Sequence, residues 1–287
     1  MTCETLWSCL VAPLSFGFMQ RGLAAAVMIA IVCAVIGAFV VMQELAFIGD
    51  ALAHASFPGV VIAFLFKLPL ELGGAIVGIL TALGIGVLTR RGKLSQDTAI
   101  GVLFAGTFAL GIALLSTVKN YTKDLFGLLL GDVLAIQASD LLVIAVMGAL
   151  MLVIVFAIYK ELVLVTFDPV QAEVIGLPVG WLHELLLALM AVTIVIAIQT
   201  VGIVLVVAML VTPAATATLL VQRFPLVMLV GAIQGVLGVV AGLYLSFYLN
   251  IASGATIVLV LTSMFFLALV FAPIRNRLRH KLARAAT

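Results

Sequence analysis

Residues 44–66 read ELAFIGDALAHASFPGVVIAFLF, and they set an acid and an imidazole into a chain that otherwise avoids charge. Asp50 and His54 are four residues apart. On a helix that spacing puts both side chains on one face, about 5–6 Å apart at Cβ, where two such groups can hold one divalent cation. An apolar run from Gly22 to Met42 precedes the stretch, and Val60–Phe66 continues it. An Asp near a bilayer centre costs about 2.5–3.5 kcal/mol on insertion scales, so it is expected to face a bundle interior or a water-filled path. The same spacing also fits a plainer role, in which Asp50 caps the next helix and His54 bonds to a neighbouring one.

Working outward, the whole chain has the composition of a membrane protein. Of its 287 residues 66% are hydrophobic and 9% charged, with a mean hydropathy of +1.41, whereas soluble domains carry about 25% charged residues. Backbone hydrogen bonds must close within each crossing, so the expected fold is all-α, a polytopic transmembrane helical bundle. Apolar windows fall near 22–42, 51–66, 72–89, 98–118, 141–159, 182–198, 200–221, 226–249 and 255–272. They allow eight or nine spans: 51–66 is short unless it begins near Ile48, and 182–221 must turn around Gln199 to Gly202. The chain reads as a single domain over 1–287, with an interfacial lead-in at 1–21, an inner loop at 160–180 and a basic tail at 274–287.

Charge placement orients the bundle. Arg90, Arg91, Lys93, Lys160, Arg223, Arg275, Arg277, Arg279, Lys281 and Arg284 fall on one side, and Arg21, Lys67, Lys119 and Lys123 on the other. The richer side is cytoplasmic by the positive-inside rule. Nine spans then place the N-terminus outside, and eight place it inside. A net charge of +2 gives no nucleic-acid signal, and Cys3, Cys9 and Cys33 support neither a disulfide framework nor a thiolate metal site. No basic segment precedes the apolar part of the N-terminus, which argues against a cleaved signal peptide. The outer connection around 119–133 is glycine-punctuated and amphipathic, and suggests a partly buried surface helix before Asp140.

The inner loop, YKELVLVTFDPVQAEVIGLPVGW, predicts one short helix, with Asp168 as its cap, Pro169 at the first position and Pro178 as a stop. Ala172 and Gly176 lie on one face of it, a small-residue face suited to docking in a partner's groove. Secondary candidates for the ion's path are Glu44, Asp132, Gln199 and Thr212. Met209, at helical spacing from Leu205, reads as packing. His183-Glu184 opens no HExxH metalloprotease site, because Leu187 stands where the second His would be. Glycines at 73, 74, 78, 84 and 86, and again at 231, 235, 238 and 242, are spaced for close helix approach.

Five segments in this order, GDALAHASFPGV (49–60), DLFGLLLGDVLAI (124–136), TFDPVQAEVIGLP (166–178), VGIVLVVAMLVTPAATATLL (201–220) and SGATIVLV (253–260), resemble the permease subunits of the manganese, zinc and iron ABC importers, the ABC-3 family, along nearly the whole chain. That resemblance implies a bacterial cytoplasmic-membrane permease with the architecture of a type II ABC importer. It implies two cytoplasmic ATPase subunits below, an extracytoplasmic solute-binding protein above, and a second permease subunit, in a homodimer or with a sister permease in a heterodimer. It assigns Asp50 and His54 to the metal, and Asp168, Pro169, Ala172 and Gly176 to a helix that couples to the ATPase. No GxxxxGK[ST] loop occurs, so ATP hydrolysis would belong to the partner and the chain would be no enzyme. No permanently bound cofactor is expected, only a transported Zn²⁺, Mn²⁺ or Fe²⁺ ion. One carboxylate and one imidazole suit these metals, whereas a copper path would recruit Cys and Met. The rival readings are an ion-coupled secondary metal transporter, which gives the 168–176 helix no role, and a vitamin or siderophore-type ABC permease, which leaves Asp50 and His54 unexplained.

Overall fold

A computed structural model describes residues 12–90, 95–116, 133 and 136–285, and every regular element among them is helical. A short 3₁₀ turn at Pro13–Ser15 leads into α1 (Gly17–Met42). Then follow α2 (Ala46–Ala55), α3 (Phe57–Phe66), α4 (Leu70–Arg90), α5 (Gln96–Ser116) and α6 (Ala138–Ala157). The remainder is α7 (Tyr159–Phe167), α8 (Pro169–Val174), α9 (Val179–Val201), α10 (Ile203–Leu220), α11 (Phe224–Leu249) and α12 (Ser253–Ala285). Nine stretches among the described residues are long and apolar enough to cross a membrane, with α2 and α3 together forming the second. The count is nine because that second stretch starts at Ala46, which gives it 21 residues.

Breaks in the helices follow from the residues at them. Pro58 sits in the first turn of α3 and has no N–H to return to the preceding turn, so the second span is jointed at Ser56. Gly202, at φ +80°, separates α9 from α10 in a conformation that suits glycine, at the turn expected around 199–202. The N-terminal lead-in is shorter than expected: α1 already begins at Gly17, and Met19 is fully buried. Arg21, which closed the apolar window in the sequence, is accommodated inside the helix by donating from Nε to the carbonyl of Gly17 at 3.2 Å. At the other end α12 continues through the basic tail to Ala285. The surface helix expected before Asp140 lies outside the described residues, as does Asp132. Asp140 itself closes a capping box with Gln137 at the start of α6.

The core centres on α1, whose Ile36, Ala38, Phe39 and Val40 are fully buried, packed between α10 and α11 with α9 completing the interior. By contrast α5 and α6 turn mostly apolar, exposed faces outward, as lipid-facing helices do. Backbones meet closely where glycine leaves room: a Cβ on Gly59 would collide with the carbonyl of Gly73, and one on Gly37 with that of Leu210. The first contact fixes α3 to α4, and the second fixes α1 to α10. Cys33 is buried in α1, and Met209 in α10 is likewise a packing residue.

Candidate metal path

Asp50 and His54 both lie on α2, one helical turn apart and facing the same way. His54 Nε2 stands 3.8 Å from Asp50 Oδ1. That is too long for a hydrogen bond, yet two ligands each about 2.1 Å from one ion can stand as far as about 4.2 Å apart. The pair can therefore share an ion with little movement. The Asp50 side chain is 55% exposed and that of His54 30%, so the carboxylate is the open member of the pair. His54 Nδ1 is buried, which leaves Nε2, the nitrogen on the Asp50 side, as the one placed to meet an ion.

Both residues line a cavity of about 660 Å³. Its other walls come from the first half of α10 (Ile203, Val204, Val207, Ala208, Val211 and Thr212), from Val258 and Thr262 of α12, from Phe108 of α5, and from Ala46 and Phe47 at the start of α2. The cavity is apolar apart from Asp50, His54 and the two threonines. His54 is held by two rings of α5, edge-on to Phe104 at 5.6 Å and to Phe108 at 5.4 Å, and the rings stack on each other at 6.0 Å. Those contacts fix the imidazole plane without competing for its nitrogens. Among the described residues no three His, Cys, Asp or Glu side chains gather, and Asp50 and His54 stand there as a pair.

The secondary candidates separate. Thr212 lines the cavity with Asp50 and His54. Glu44 does not: it is exposed in the turn between α1 and α2, at φ +60°. Gln199 falls in the last turn of α9, its side chain outside the described set. The sequence reading missed Phe104, Phe108 and Thr262. Phe104 and Phe108 are spaced i, i+4 on one span, a signal that could have been read as a wall, whereas an isolated threonine in an apolar helix carries none.

In the inner loop, α8 forms as the cap chemistry dictates. Asp168 Oδ1 accepts a hydrogen bond from the Gln171 amide at 2.8 Å, and Pro169 takes the first position. At its far end the Gly176 N–H bonds to Glu173 O and the Leu177 N–H to Ala172 O, both at 3.0 Å, around Gly176 at φ +86°. This is a Schellman closure, and it needs the left-handed residue that glycine supplies. One expectation is corrected here. Ala172 does not face a partner; it is fully buried against Val165 of α7 and Leu182 of α9, because a small residue is what lets a six-residue helix sit flush on its neighbours. The outward face is instead Val170, Val174 and Ile175, with Phe167 beside them, all more than half exposed.

With this geometry in view, the chain can be set beside known proteins. A model of the ABC 3 transport family matches residues 15–272. The manganese transport system membrane protein MntC of Halalkalibacterium halodurans is 45% identical over 260 residues, covering 91% of this chain and 89% of that one. The chelated iron transport system membrane protein YfeD of Yersinia pestis is 35% identical over 283 residues, covering 98% and 95%. Among solved structures, PsaBC from Streptococcus pneumoniae in complex with Fab superposes with a TM-score of 0.85 at 33% identity, over 96% of this chain and 100% of that one. A match over this much of the chain, on a bundle with nine candidate crossings among the described residues, makes the protein a multi-pass membrane permease of the ABC 3 transport family.

Proposed function

We propose that this permease carries Mn²⁺ or Fe²⁺ into the cell, with Asp50 and His54 as the groups that take the ion. The observation that carries the reading is the pair itself: an acid and an imidazole 3.8 Å apart on the wall of a large, otherwise apolar cavity within the membrane span. An ion crossing hydrocarbon unaided would meet a prohibitive desolvation cost, and a sparse, partly hydrated site lowers that cost while still letting the ion go. Oxygen and nitrogen donors without sulfur suit manganese and iron, the metals in the names of the relatives; Zn²⁺ is the third ion the set accepts. Thr212 and Thr262 would offer hydroxyls to the ion's remaining waters.

A second copy of the chain would add to the pair. Phe47 and Val204, 79% and 69% exposed, border the cavity on its open side beside Asp50. A twofold partner packed there would cover them and bring a second Asp50 and His54 to the same space, raising two side-chain ligands to four. With nine crossings and the basic side inside, the turn at 43–45, the segment 158–178 and the turn at 221–223 face the cytoplasm. There α8 presents Val170, Val174 and Ile175 to an ATPase subunit, one beneath each copy, while an extracytoplasmic binding protein delivers the ion from above. The family assignment leaves the ion-coupled transporter without support, since α8 would have no task in it.

The test is uptake in proteoliposomes holding the permease, its ATPase and its binding protein. Mn²⁺, Fe²⁺ and Zn²⁺ are compared for wild type, Asp50→Asn and His54→Ala. Both variants are expected to abolish uptake while still assembling with the ATPase. Wild-type rates of uptake in both would return the two residues to a structural role.

A further inference from the structure

The cytoplasmic end of α1 holds two contacts that transport chemistry at the cavity does not require. Gln43 Nε2 donates a hydrogen bond of 2.8 Å to Thr166 Oγ1, across 123 residues of sequence. Thr166 Oγ1 in turn donates to the carbonyl of Leu162 at 2.7 Å, so its hydroxyl is fixed as donor to its own helix and acceptor from Gln43. Around this bond four rings close a junction. Phe39 of α1 meets Phe224 of α11 at 4.8 Å, and Phe224 also meets Tyr159 and Phe167 of α7 at 6.3 and 5.4 Å.

What the junction connects gives it meaning. On one side Thr166 is two residues before Asp168, the cap of α8, and α8 is seated on α7 through Ala172 and Val165. On the other side Gln43 is three residues before Ala46, where the helix bearing Asp50 and His54 begins. The intervening turn is stiff. Its Glu44 N–H bonds to Val41 O at 3.2 Å and its Leu45 N–H to Val40 O at 2.8 Å, a second Schellman closure, with Leu45 buried. A displacement of α7 therefore reaches the start of α2 through one side-chain hydrogen bond and a rigid turn, and Asp50 lies only about 6 Å further along that helix.

We propose that the Gln43–Thr166 hydrogen bond is the joint by which movement of α8 on an ATPase subunit repositions α2 and its metal-holding pair. Gln43 and Thr166 are positioning residues, and this role rests on the importer reading above. Breaking the joint uncouples the two ends: ATP turns over, but α2 no longer follows.

The measurement is the number of ATP molecules hydrolysed per Mn²⁺ ion imported, in liposomes holding the complete assembly. The variants are Gln43→Ala, Thr166→Val, the double variant, Thr166→Ser and Asp50→Ala. Each of the first two is expected to raise the ratio about five-fold, the equilibrium factor one net hydrogen bond carries. The double variant should match either single one, and Thr166→Ser, which keeps the hydroxyl, should match wild type. A purely structural role would lower the amount assembled and both rates together, leaving the ratio unmoved. Gln43→Ala, which removes a half-buried amide, decides the matter if the valine variant fails to assemble. An unchanged ratio, or effects that multiply in the double variant, overturns the joint. If the wild type imports Mn²⁺ and Asp50→Ala does not while the ratio stays flat, only the joint falls; a wild type that imports none of Mn²⁺, Fe²⁺ or Zn²⁺ overturns the importer reading with it.

Discussion

At the scale of single residues, Glu44 and Asp50 show how two acids six positions apart come to differ in role. Asp50 faces the cavity from inside a helix, whereas Glu44 occupies the left-handed position of the turn that ends α1, at φ +60°. An L-residue there costs about 1–2 kcal/mol, and glycine removes most of that while returning about 0.5–1 kcal/mol in unfolded-state entropy. Glu44→Gly is therefore expected to leave the detergent-solubilised protein equally stable or up to about 1 kcal/mol more so. Glu44→Val, branched at Cβ, should lower the thermal midpoint. Uptake should survive Glu44→Gly unchanged. If it fails in a folded variant, Glu44 belongs to the metal path after all, from its cytoplasmic exit rather than the wall.

At the scale of elements, α8 has an inner face and an outer face, and they should respond to substitution in different ways. Ala172→Leu adds bulk where Val165 and Leu182 leave none, so it should cost about 1–3 kcal/mol and loosen α8 from α7. Val174→Asp alters a residue 76% exposed, so it should leave thermal stability near wild type while weakening co-purification of the ATPase. A Val174→Asp permease that retains its ATPase would move the docking surface elsewhere. Sequence alone placed this helix and its start at Asp168 and Pro169, because an N-cap is local chemistry. Its far end closes at Gly176, beyond the last helical residue Val174 and ahead of the expected stop at Pro178. Sequence misjudged the inward face because six residues are too few to display a period, and only packing against α7 and α9 decides it. The second span shows the same boundary between local and tertiary information. Its apolar window starts at 51 in the sequence because Asp50, one of the two proposed ion ligands, interrupts it, and it is the least apolar of the nine candidate crossings among the described residues. The pair itself was legible from its i, i+4 spacing; the cavity walls from α5, α10 and α12 were not, since they meet α2 only in three dimensions.

At the scale of the whole molecule, the proposal that Asp50 and His54 hold the ion bears directly on assembly, because among the described residues they stand as a pair. If one ion is held jointly by two copies, a dimer with one impaired copy offers it half the ligands, and a binding site that loses ligands loses affinity as a unit rather than by halves. If each copy instead carries its own ion, a mixed dimer keeps half its capacity. Wild-type permease and an Asp50→Asn, His54→Ala double variant, co-expressed in equal amounts, pair at random. About one dimer in four is then fully wild type, so shared binding predicts uptake near a quarter of the wild-type level at limiting Mn²⁺, and independent sites predict about a half. Differently tagged copies allow the mixed dimer to be purified and reconstituted alone, where the two cases become near zero and about half. An uptake of half in that purified mixed dimer would mean that Asp50 and His54 of one copy suffice, with water and the cavity's threonines completing the ion's shell. An uptake near zero would mean that the open face beside Phe47 and Val204 is where the metal site is completed by a second chain.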